Sequence, residues 1–202
     1  MNVRASSSAK GEIALSARSF NTNVNHEIAP VYQTVTVRKG DNPLEMELPM
    51  GQNFLTWDEF SPALYRLTAT LKNGKQIETK QVQFGMREFT INGKWFYVNG
   101  RKTMLRGTVE NCDFPLTGYA PMDVASWERV FRICRNYGLN HMRFHSFCPP
   151  EAAFIAADLV GFYLQPEGPS WPNHGPKLGN GQPIDKELMD ETIALTKAYG
   201  NY

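Results

Sequence analysis

Polar and aromatic side chains that could take part in chemistry are concentrated at or just after the ends of two short apolar runs, residues 139–144 and 162–164. These side chains are Arg143, His145, Ser146, Glu167, Trp171 and His174. Upstream, the carboxylates Glu110 and Asp113 follow another short apolar run. A pair of carboxylates is what hydrolysis of a glycosidic bond requires. Glu110, Asp113 and Glu167 therefore permit that chemistry, although each alone also fits a hydrogen-bonded structural acid.

Two other chemistries fit the same residues less well. His141, His145 and Cys148 have the spacing H-x3-H-x2-C, but they do not all project to one side of a strand and no fourth ligand recurs nearby, so no metal site is predicted. Ser146 beside His145 suggests a nucleophile and its base, yet no G-x-S-x-G turn surrounds it. Arg143 should project with the two histidines and, if buried, should have a carboxylate partner.

The segments that position these residues are predicted as strand, helix and strand. Pro149 and Pro150 suit the first turn of a helix over residues 151–160, and Gly161 suits its end. The flanking runs then form strands that lie parallel, because the short connection between them contains a helix. Ligands bind at the carboxyl ends of such strands. Trp171, in the loop after the second strand, either stacks on a sugar ring or anchors its own loop.

Composition and charge exclude several classes of protein. The 202 residues include 21 basic and 20 acidic side chains, and no basic stripe suggests a nucleic-acid partner. No apolar run approaches the roughly 20 residues of a membrane helix. The residues after Met1 lack the apolar segment of a signal peptide, and the compartment stays open. The three cysteines have no paired spacing and are interpreted as free thiols.

Residues 1–88 alternate as in an all-β domain. Six strands are predicted, over residues 2–8, 13–21, 31–38, 44–48, 64–71 and 76–84. Asn73-Gly74 predicts a hairpin between the last two, and the aromatic-rich stretch Trp57–Tyr65 is expected to pack on its own domain. Short, evenly spaced strands favour a β-sandwich. Since a sandwich has about seven strands, we expect this one to be truncated at its N-terminus.

Residues 89–202 change from a β pattern to an alternating one. Asn92-Gly93 and Asn99-Gly100 predict further hairpins. Asp123 is predicted to cap a helix that ends at Gly138, and Asp185 is predicted to cap the last helix. From about residue 103 the order is therefore β-α-β-α-β-α. Three strands do not close a barrel whereas eight do, so this half is interpreted as the first part of a C-terminally truncated (β/α)8 barrel.

Several motifs together resemble glycoside hydrolase family 2, which includes β-galactosidases, β-glucuronidases and β-mannosidases. They are W…P-x-L-Y at 57–65, F-G-M-R at 84–87, F-Y-V-N-G-R-K-T-M-L-R-G at 96–107, N-H-M-R at 140–143 and A-D-L-V-G-F-Y at 157–163. The resemblance covers most of the chain and is specific in combination. It implies an immunoglobulin-like β-sandwich followed by a TIM barrel, a β-glycoside substrate, and no cofactor.

The resemblance also implies roles for the residues at the strand ends. Arg143 would hold the nucleophilic glutamate, and the sugar pocket would be lined by Asp113, His145, Glu167, Trp171 and His174. The loops depart from the family pattern, with Pro166-Glu167 in place of an Asp-Glu pair. The identity of the sugar substrate therefore cannot be inferred from the family. The pattern does not support the magnesium site of some relatives.

The two catalytic glutamates are expected beyond Tyr202. In the family, the acid/base glutamate follows the fourth barrel strand in an N-E motif and the nucleophile follows the seventh, and this chain contains no Asn-Glu pair. The piece is therefore expected to be inactive alone, within a parent that could form homo-oligomers. The alternatives are a non-catalytic carbohydrate-binding or interaction module, with Trp171 and His145 as contacts, and a different barrel hydrolase.

Overall fold

The computed structural model describes residues 1–169, 179, 181 and 183–202. These residues divide into two compact units. The first unit comprises residues 1–56 and 63–86, and the second comprises residues 57–62 and 87–202.

The first unit is built of β-strands. They are β1 (Asn2–Ala5), β2 (Ala9–Phe20), β3 (Glu27–Val37), β4 (Gly40–Pro43), β5 (Leu64–Asn73) and β6 (Gln76–Phe84). The strands β3, β2, β5 and β6 form an antiparallel sheet in that order, and β1 pairs with β4 in a two-stranded ribbon. The predicted all-β character of this half is confirmed, and the described residues contain no helix before residue 87.

One of the six predicted strands is wrong. Residues 44–48 form no strand, and the ribbon strand lies just before them, at Gly40–Pro43. Their alternation is nevertheless real, because Leu44, Met46 and Leu48 pack against the core that contains Ile13 and Val35. An alternation with a period of two indicates an extended backbone with one buried face. It does not indicate whether a neighbouring strand forms hydrogen bonds with that backbone.

The three Asn-Gly pairs that were predicted to form hairpins, at residues 73–74, 92–93 and 99–100, lie at hairpin turns. Asn73 pairs with Gln76 at the β5–β6 turn. The other two pairs connect β7 (Phe89–Asn92), β8 (Trp95–Val98) and β9 (Arg101–Thr103), which form an antiparallel meander. The glycines Gly74, Gly93 and Gly100 have φ of 58°, 59° and 74°. Turns that match the twist of the strands need this left-handed conformation, which glycine adopts without steric cost.

Strands and helices alternate in the remainder of the second unit. The elements are β10 (Gly107–Glu110), α1 (Val124–Asn136), β11 (His141–Phe144), α2 (Glu151–Val160), β12 (Tyr163–Gln165) and α3 (Pro183–Tyr199). The three strands form a parallel sheet in the order β10, β11, β12. The predicted β-α-β-α-β-α order is confirmed. None of the helices within the described residues combines the length and the apolarity that crossing a membrane requires.

The core of the second unit lies between the parallel sheet and the helices α1 and α2. Its largest members are Trp127, Phe131, Met142, Phe144 and Phe162, each at most 3% exposed. Along β11 every second residue enters this core, so His141 and Arg143 project from the opposite face. The predicted cap of α1 is confirmed, because Asp123 Oδ1 accepts a hydrogen bond from the Ser126 N–H at 2.8 Å.

The predicted start of the last helix is wrong. Helix α3 begins at Pro183, so Asp185 lies inside its first turn. Proline fits the first turn because the backbone N–H that it lacks would have no partner inside the helix. Asp185 instead accepts a hydrogen bond at Oδ1 from the backbone N–H of Gly179, at 3.0 Å.

The aromatic-rich stretch after Thr56 does not pack as expected, since residues 57–62 belong to the second unit. The indole Nε1–H of Trp57 donates to the backbone carbonyl of Asp158 at 2.8 Å, and its ring contacts Tyr163 edge-on at 5.7 Å. Asp158 lies in the last turn of α2, where carbonyls have no partner within the helix. A buried indole that needs an acceptor thus meets a helix end that needs a donor.

Candidate active site

The parallel register brings the ends of three strands to one edge of the sheet. Glu110 at the end of β10 is paired in register with Phe144 at the end of β11, and Arg143 is paired with Gln165 at the end of β12. The backbone N–H of His145 donates to the Glu110 carbonyl at 2.8 Å, which extends the ladder by one residue. Side chains on the residues that follow these strands are therefore presented together.

An ion pair between Arg143 and Glu167 is the centre of this edge. Arg143 Nε donates to Glu167 Oε1 at 2.5 Å, and Nη2 donates to Oε2 at 3.2 Å. Glu167 Oε2 also accepts a hydrogen bond from the backbone N–H of Ser146 at 2.9 Å. The guanidinium beside Glu167 lowers the pKa of that carboxyl, and the carboxylate raises the pKa of Arg143. The carboxylate partner that Arg143 was expected to have is Glu167.

His145 and Asp113 lie at the same edge in different environments. His145 is half-buried directly after β11, and its charge contributes to the lowered pKa of Glu167. Asp113 is exposed on the loop after β10, where its backbone N–H donates to Glu110 Oε1 at 3.3 Å. Trp171 and His174, which were also predicted to line the pocket, lie outside the described residues.

Asn140 supports the site in a way that the sequence pattern did not reveal. Its side chain is 1% exposed and lies between two strands, where Oδ1 accepts from the Arg106 N–H at 2.7 Å and Nδ2 donates to the Met104 carbonyl at 3.1 Å. These bonds hold the approach to β10 against β11. The asparagine in N-H-M-R was visible as a motif residue, but its bonding partners lie more than 30 residues away along the chain.

Gly107 permits close packing on the face of the sheet that carries Arg143. Gly107 is paired in register with His141, and a Cβ placed on it would lie 2.4 Å from His141 Nδ1. Any side chain at this position would displace the imidazole ring. The glycine of the L-R-G motif is thus explained by the space that His141 occupies.

No arrangement suited to a metal ion is found in the part of the chain that the structure describes. There, no three or more side chains of His, Cys, Asp and Glu lie close enough together to hold one. The ionisable side chains that the described residues bring to this edge are carboxylates, a guanidinium and an imidazole.

A second perturbed carboxyl lies behind the sheet, near the C-terminal end of α2. Asp158 is 9% exposed, and its burial raises the pKa of the carboxyl to about 7. The positive charge of Arg87 opposes this shift without cancelling it. In the folded chain Asp158 is therefore largely protonated below neutral pH, whereas an aspartate in an unfolded chain ionises near pH 4.

This difference predicts a pH dependence of stability that Asp158→Asn should remove. Because the folded state holds the proton more tightly, the Asp158 contribution to the free energy of unfolding falls as pH rises from about 4 to about 7. We expect Asp158→Asn to be more stable than the wild type by about 1–3 kcal/mol at pH 8 and nearly equal to it at pH 4. Urea unfolding at both pH values measures this. Asp190→Asn, at an exposed position on α3, is the control and should change little at either pH. An equal effect of Asp158→Asn at both pH values would contradict the prediction.

Comparison with known proteins places the chain in a family. Residues 1–87 match the model of glycosyl hydrolases family 2. A β-galactosidase of Thermoanaerobacter pseudethanolicus is 32% identical over 145 residues, which is 70% of this chain and 19% of that protein. A putative β-glucuronidase of Formosa agariphila is 32% identical over 127 residues, 61% of this chain and 15% of that protein.

Solved structures extend the likeness to nearly the whole chain. A β-glucuronidase of Bacteroides uniformis matches 99% of this chain and 24% of its own, with a TM-score of 0.78 at 18% identity. A β-glucuronidase of Parabacteroides merdae matches 96% of this chain and 23% of its own, with a TM-score of 0.74 at 23% identity. At these identities the structures show a shared fold.

The chain spans less than a fifth of the length of these two curated relatives, at 19% and 15%. The family match over residues 1–87, the sequence relatives and the shared fold agree with one another. Of the motifs, N-H-M-R lies at β11, whereas F-G-M-R lies mostly in the connection after β6 and only the glycine of L-R-G lies in β10. Residues 1–87 of this chain match glycosyl hydrolases family 2, and the sequence relatives and the shared fold support the same family for the chain as a whole.

Proposed function

We propose that the chain is part of a retaining glycoside hydrolase that cleaves O-glycosidic bonds in β-glycosides, in the manner of a β-galactosidase or β-glucuronidase. The observation that carries this proposal is the paired Arg143 and Glu167 at the carboxyl edge of a parallel sheet. In barrels built of such sheets, that edge holds the active site. The relatives named above include a β-galactosidase and β-glucuronidases, which supports a sugar as the substrate.

The architecture that we propose has two parts. Residues 1–88 would form an immunoglobulin-like β-sandwich, and residues 89–202 would form the first three βα units of a (β/α)8 TIM barrel. The parallel order of β10, β11 and β12, with α1 and α2 packed on one face, supports the second part. The two antiparallel layers of the first unit, which share one apolar core, support the first part.

In a retaining mechanism, a carboxylic acid protonates the leaving oxygen while a carboxylate about 5–5.5 Å away attacks the sugar and forms a glycosyl-enzyme intermediate. We propose that this chain carries neither of those two glutamates. It would contribute to the sugar pocket through the predicted residues Asp113, Arg143, His145 and Glu167, together with Trp171 and His174. The guanidinium of Arg143 has the geometry to hold a second carboxylate in place, since an arginine can bond carboxylates on more than one edge.

The test compares the 202-residue chain with the natural polypeptide at full length. Both are assayed against nitrophenyl β-galactoside, β-glucuronide and β-mannoside. We expect turnover of at least one glycoside by the full-length protein and none by the 202-residue chain, since loss of both catalytic carboxylates removes nearly all rate enhancement.

Each alternative gives a different result in this assay. Clear turnover by the 202-residue chain would place a complete site within it and would refute the proposed division of the site. A full-length protein that binds a glycoside without hydrolysing it would favour the carbohydrate-binding module. Hydrolysis of other substrates, but of none of these glycosides, would indicate a different barrel hydrolase.

A further inference from the structure

We propose that Glu167 is a positioning residue that fixes the guanidinium of Arg143 at the carboxyl edge of the sheet. Held in this way, Arg143 would present its remaining N–H groups in one orientation to a sugar oxygen or to a reacting carboxylate. This inference rests on the proposed function and adds a role for Glu167 that differs from direct contact with the sugar.

Glu167 joins two loops that come from neighbouring strands. Its carboxylate accepts two hydrogen bonds from Arg143 on β11, at 2.5 and 3.2 Å, and one from the backbone of Ser146, at 2.9 Å. Its own backbone N–H donates to the Phe147 carbonyl at 3.2 Å. Four hydrogen bonds therefore tie Glu167 to the end of β11 and to the loop that follows it. A carboxylate anchored at this many points determines where the guanidinium lies.

The pairing with Glu167 leaves some N–H donors of the Arg143 guanidinium available to bond a ligand. Arginine carries five N–H donors in a planar fork. Glu167 accepts from Nε and from Nη2, and no described residue accepts a hydrogen bond from Nη1. A planar group held along one edge keeps the direction of its other donors, so it loses little further freedom when it binds an oxygen acceptor.

Backbone strain marks the same edge independently. Four described residues other than glycine have positive φ: Asn21, Asn99, Cys112 and Ser146. Asparagine adopts this conformation comparatively easily, whereas it is uncommon for cysteine and serine. Cys112 and Ser146, with φ of 60° and 62°, lie in the loops directly after β10 and β11. Strained residues of this kind concentrate at functional sites. One of them, Ser146, donates its backbone N–H to the Glu167 carboxylate.

A purely structural ion pair is the competing explanation. The side chains of Arg143 and Glu167 are 39% and 27% exposed. Pairs with this degree of exposure add little to folding stability, because water competes for both charges. If Glu167 were only structural, its replacement should therefore change both the unfolding transition and the turnover little. A positioning role predicts a loss of turnover with a nearly unchanged unfolding transition.

The test uses the natural full-length protein and its best nitrophenyl glycoside. We expect Glu167→Gln to lower kcat by about tenfold or more with a smaller change in KM, because a displaced group costs more in the transition state than in the ground state. Glu128→Gln is the matched control. It removes a carboxylate that is 28% exposed, as Glu167 is 27% exposed, and that accepts a hydrogen bond at Oε2 from Arg132 Nη2 on α1 at 3.0 Å. This change should leave kcat, KM and the unfolding midpoint within error.

Chemical rescue then tests the position of the guanidinium directly. Free guanidinium at millimolar concentration should restore part of the kcat of Arg143→Ala, because Glu167 would hold the added ion where the side chain lay. The double variant Arg143→Ala with Glu167→Gln should show no rescue. A merely structural Glu167 predicts equal responses in the two backgrounds.

The results separate this inference from the proposed function. A wild-type protein that hydrolyses no glycoside overturns the proposed function, and this inference falls with it. An active wild type in which Glu167→Gln keeps full kcat overturns the inference alone. Rescue of the double variant to the same extent as the single variant does so as well.

Discussion

Replacing Trp127 with alanine is expected to destabilise the chain by about 3–5 kcal/mol, the usual cost of truncating a buried aromatic side chain to alanine. Trp127 is 1% exposed at the centre of the second unit. Its ring stacks on Phe131 at 5.7 Å and meets Phe144 and Phe114 edge-on at 5.8 and 6.3 Å. Removing the indole leaves a cavity that these three rings cannot close together.

The loss would also reach the candidate site. The indole Nε1–H of Trp127 donates to the Pro121 carbonyl at 2.7 Å, and Phe114 packs against the ring. Trp127 therefore anchors the loop after β10 at two points, and this loop carries Asp113. The alanine variant should release that loop as well as weaken the core.

Urea unfolding followed by far-UV circular dichroism measures the change in stability. Tyr137→Ala is the matched control, because this aromatic residue at the end of the same helix is 82% exposed and its loss should cost little. Trp127→Phe keeps most of the ring volume and gives a measurable value if the alanine variant fails to fold. The prediction is wrong if Trp127→Ala and Tyr137→Ala have similar effects.

Replacing Arg135 with methionine is expected to cost about 2–4 kcal/mol, because it leaves buried carbonyl groups without donors. Arg135 Nη1 donates to the backbone carbonyls of Glu59, Val160 and Gly161 at 2.6, 3.1 and 2.7 Å. Val160 and Gly161 lie at the end of α2, where carbonyls have no helical partner. Methionine can replace the packing of the arginine stem but not its hydrogen bonds.

Arg135 also holds the turn between α2 and β12. Gly161 ends α2 with φ of 77°, and a Cβ at this position would lie 2.8 Å from the Glu59 carbonyl. The chain then enters β12, which leads to Glu167. A loosened α2 terminus should therefore shift the carboxylate that holds Arg143, so a loss of turnover in the full-length protein should accompany the loss of stability.

Arg132→Met provides the control for Arg135→Met. Arg132 lies on the same helix with its side chain 61% exposed and pairs only with Glu128 among the described residues. Its replacement should cost less than about 0.5 kcal/mol. Arg135→Lys tests the geometry, since an ammonium on a shorter reach is not expected to serve all three carbonyls and should fall between wild type and methionine. Equal unfolding midpoints for Arg135→Met and Arg132→Met would refute the assigned role.

Much of the second unit could be predicted from short-range signals. Helix α2 spans the predicted residues 151–160, because Pro149 and Pro150 permit only the start of a helix and Gly161 accepts the left-handed conformation that ends it. The Asn-Gly hairpins and the Asp123 cap were predicted in the same way. Each of these signals acts within about four residues along the chain, where backbone geometry alone decides the outcome.

Partners that are distant in sequence could not be predicted in this way. Trp57 donates a hydrogen bond to the Asp158 carbonyl, which lies 101 residues later in the chain. Arg143 pairs with Glu167, which lies 24 residues later. The pattern indicated only that Arg143, if buried, should have a carboxylate partner, and that Trp57 should pack on its own domain. It could not say which helix end or which carboxylate would supply these partners, and it wrongly assigned residues 57–62 to the first domain.

The sequence by itself determined the order of the elements, the parallel sense of β10, β11 and β12, and the set of polar residues at the carboxyl ends of these strands. Local conformational preference and short connections leave few other arrangements. The tertiary structure decided that Glu167 is the partner of Arg143, and that residues 44–48 pair with no strand. It also decided that Asn140 bonds to the segment before β10 and that Gly107 leaves space for His141. These outcomes depend on strand register and on which surfaces meet. Strand register and side-chain packing depend on contacts throughout the core, so they cannot be read from a short stretch of sequence.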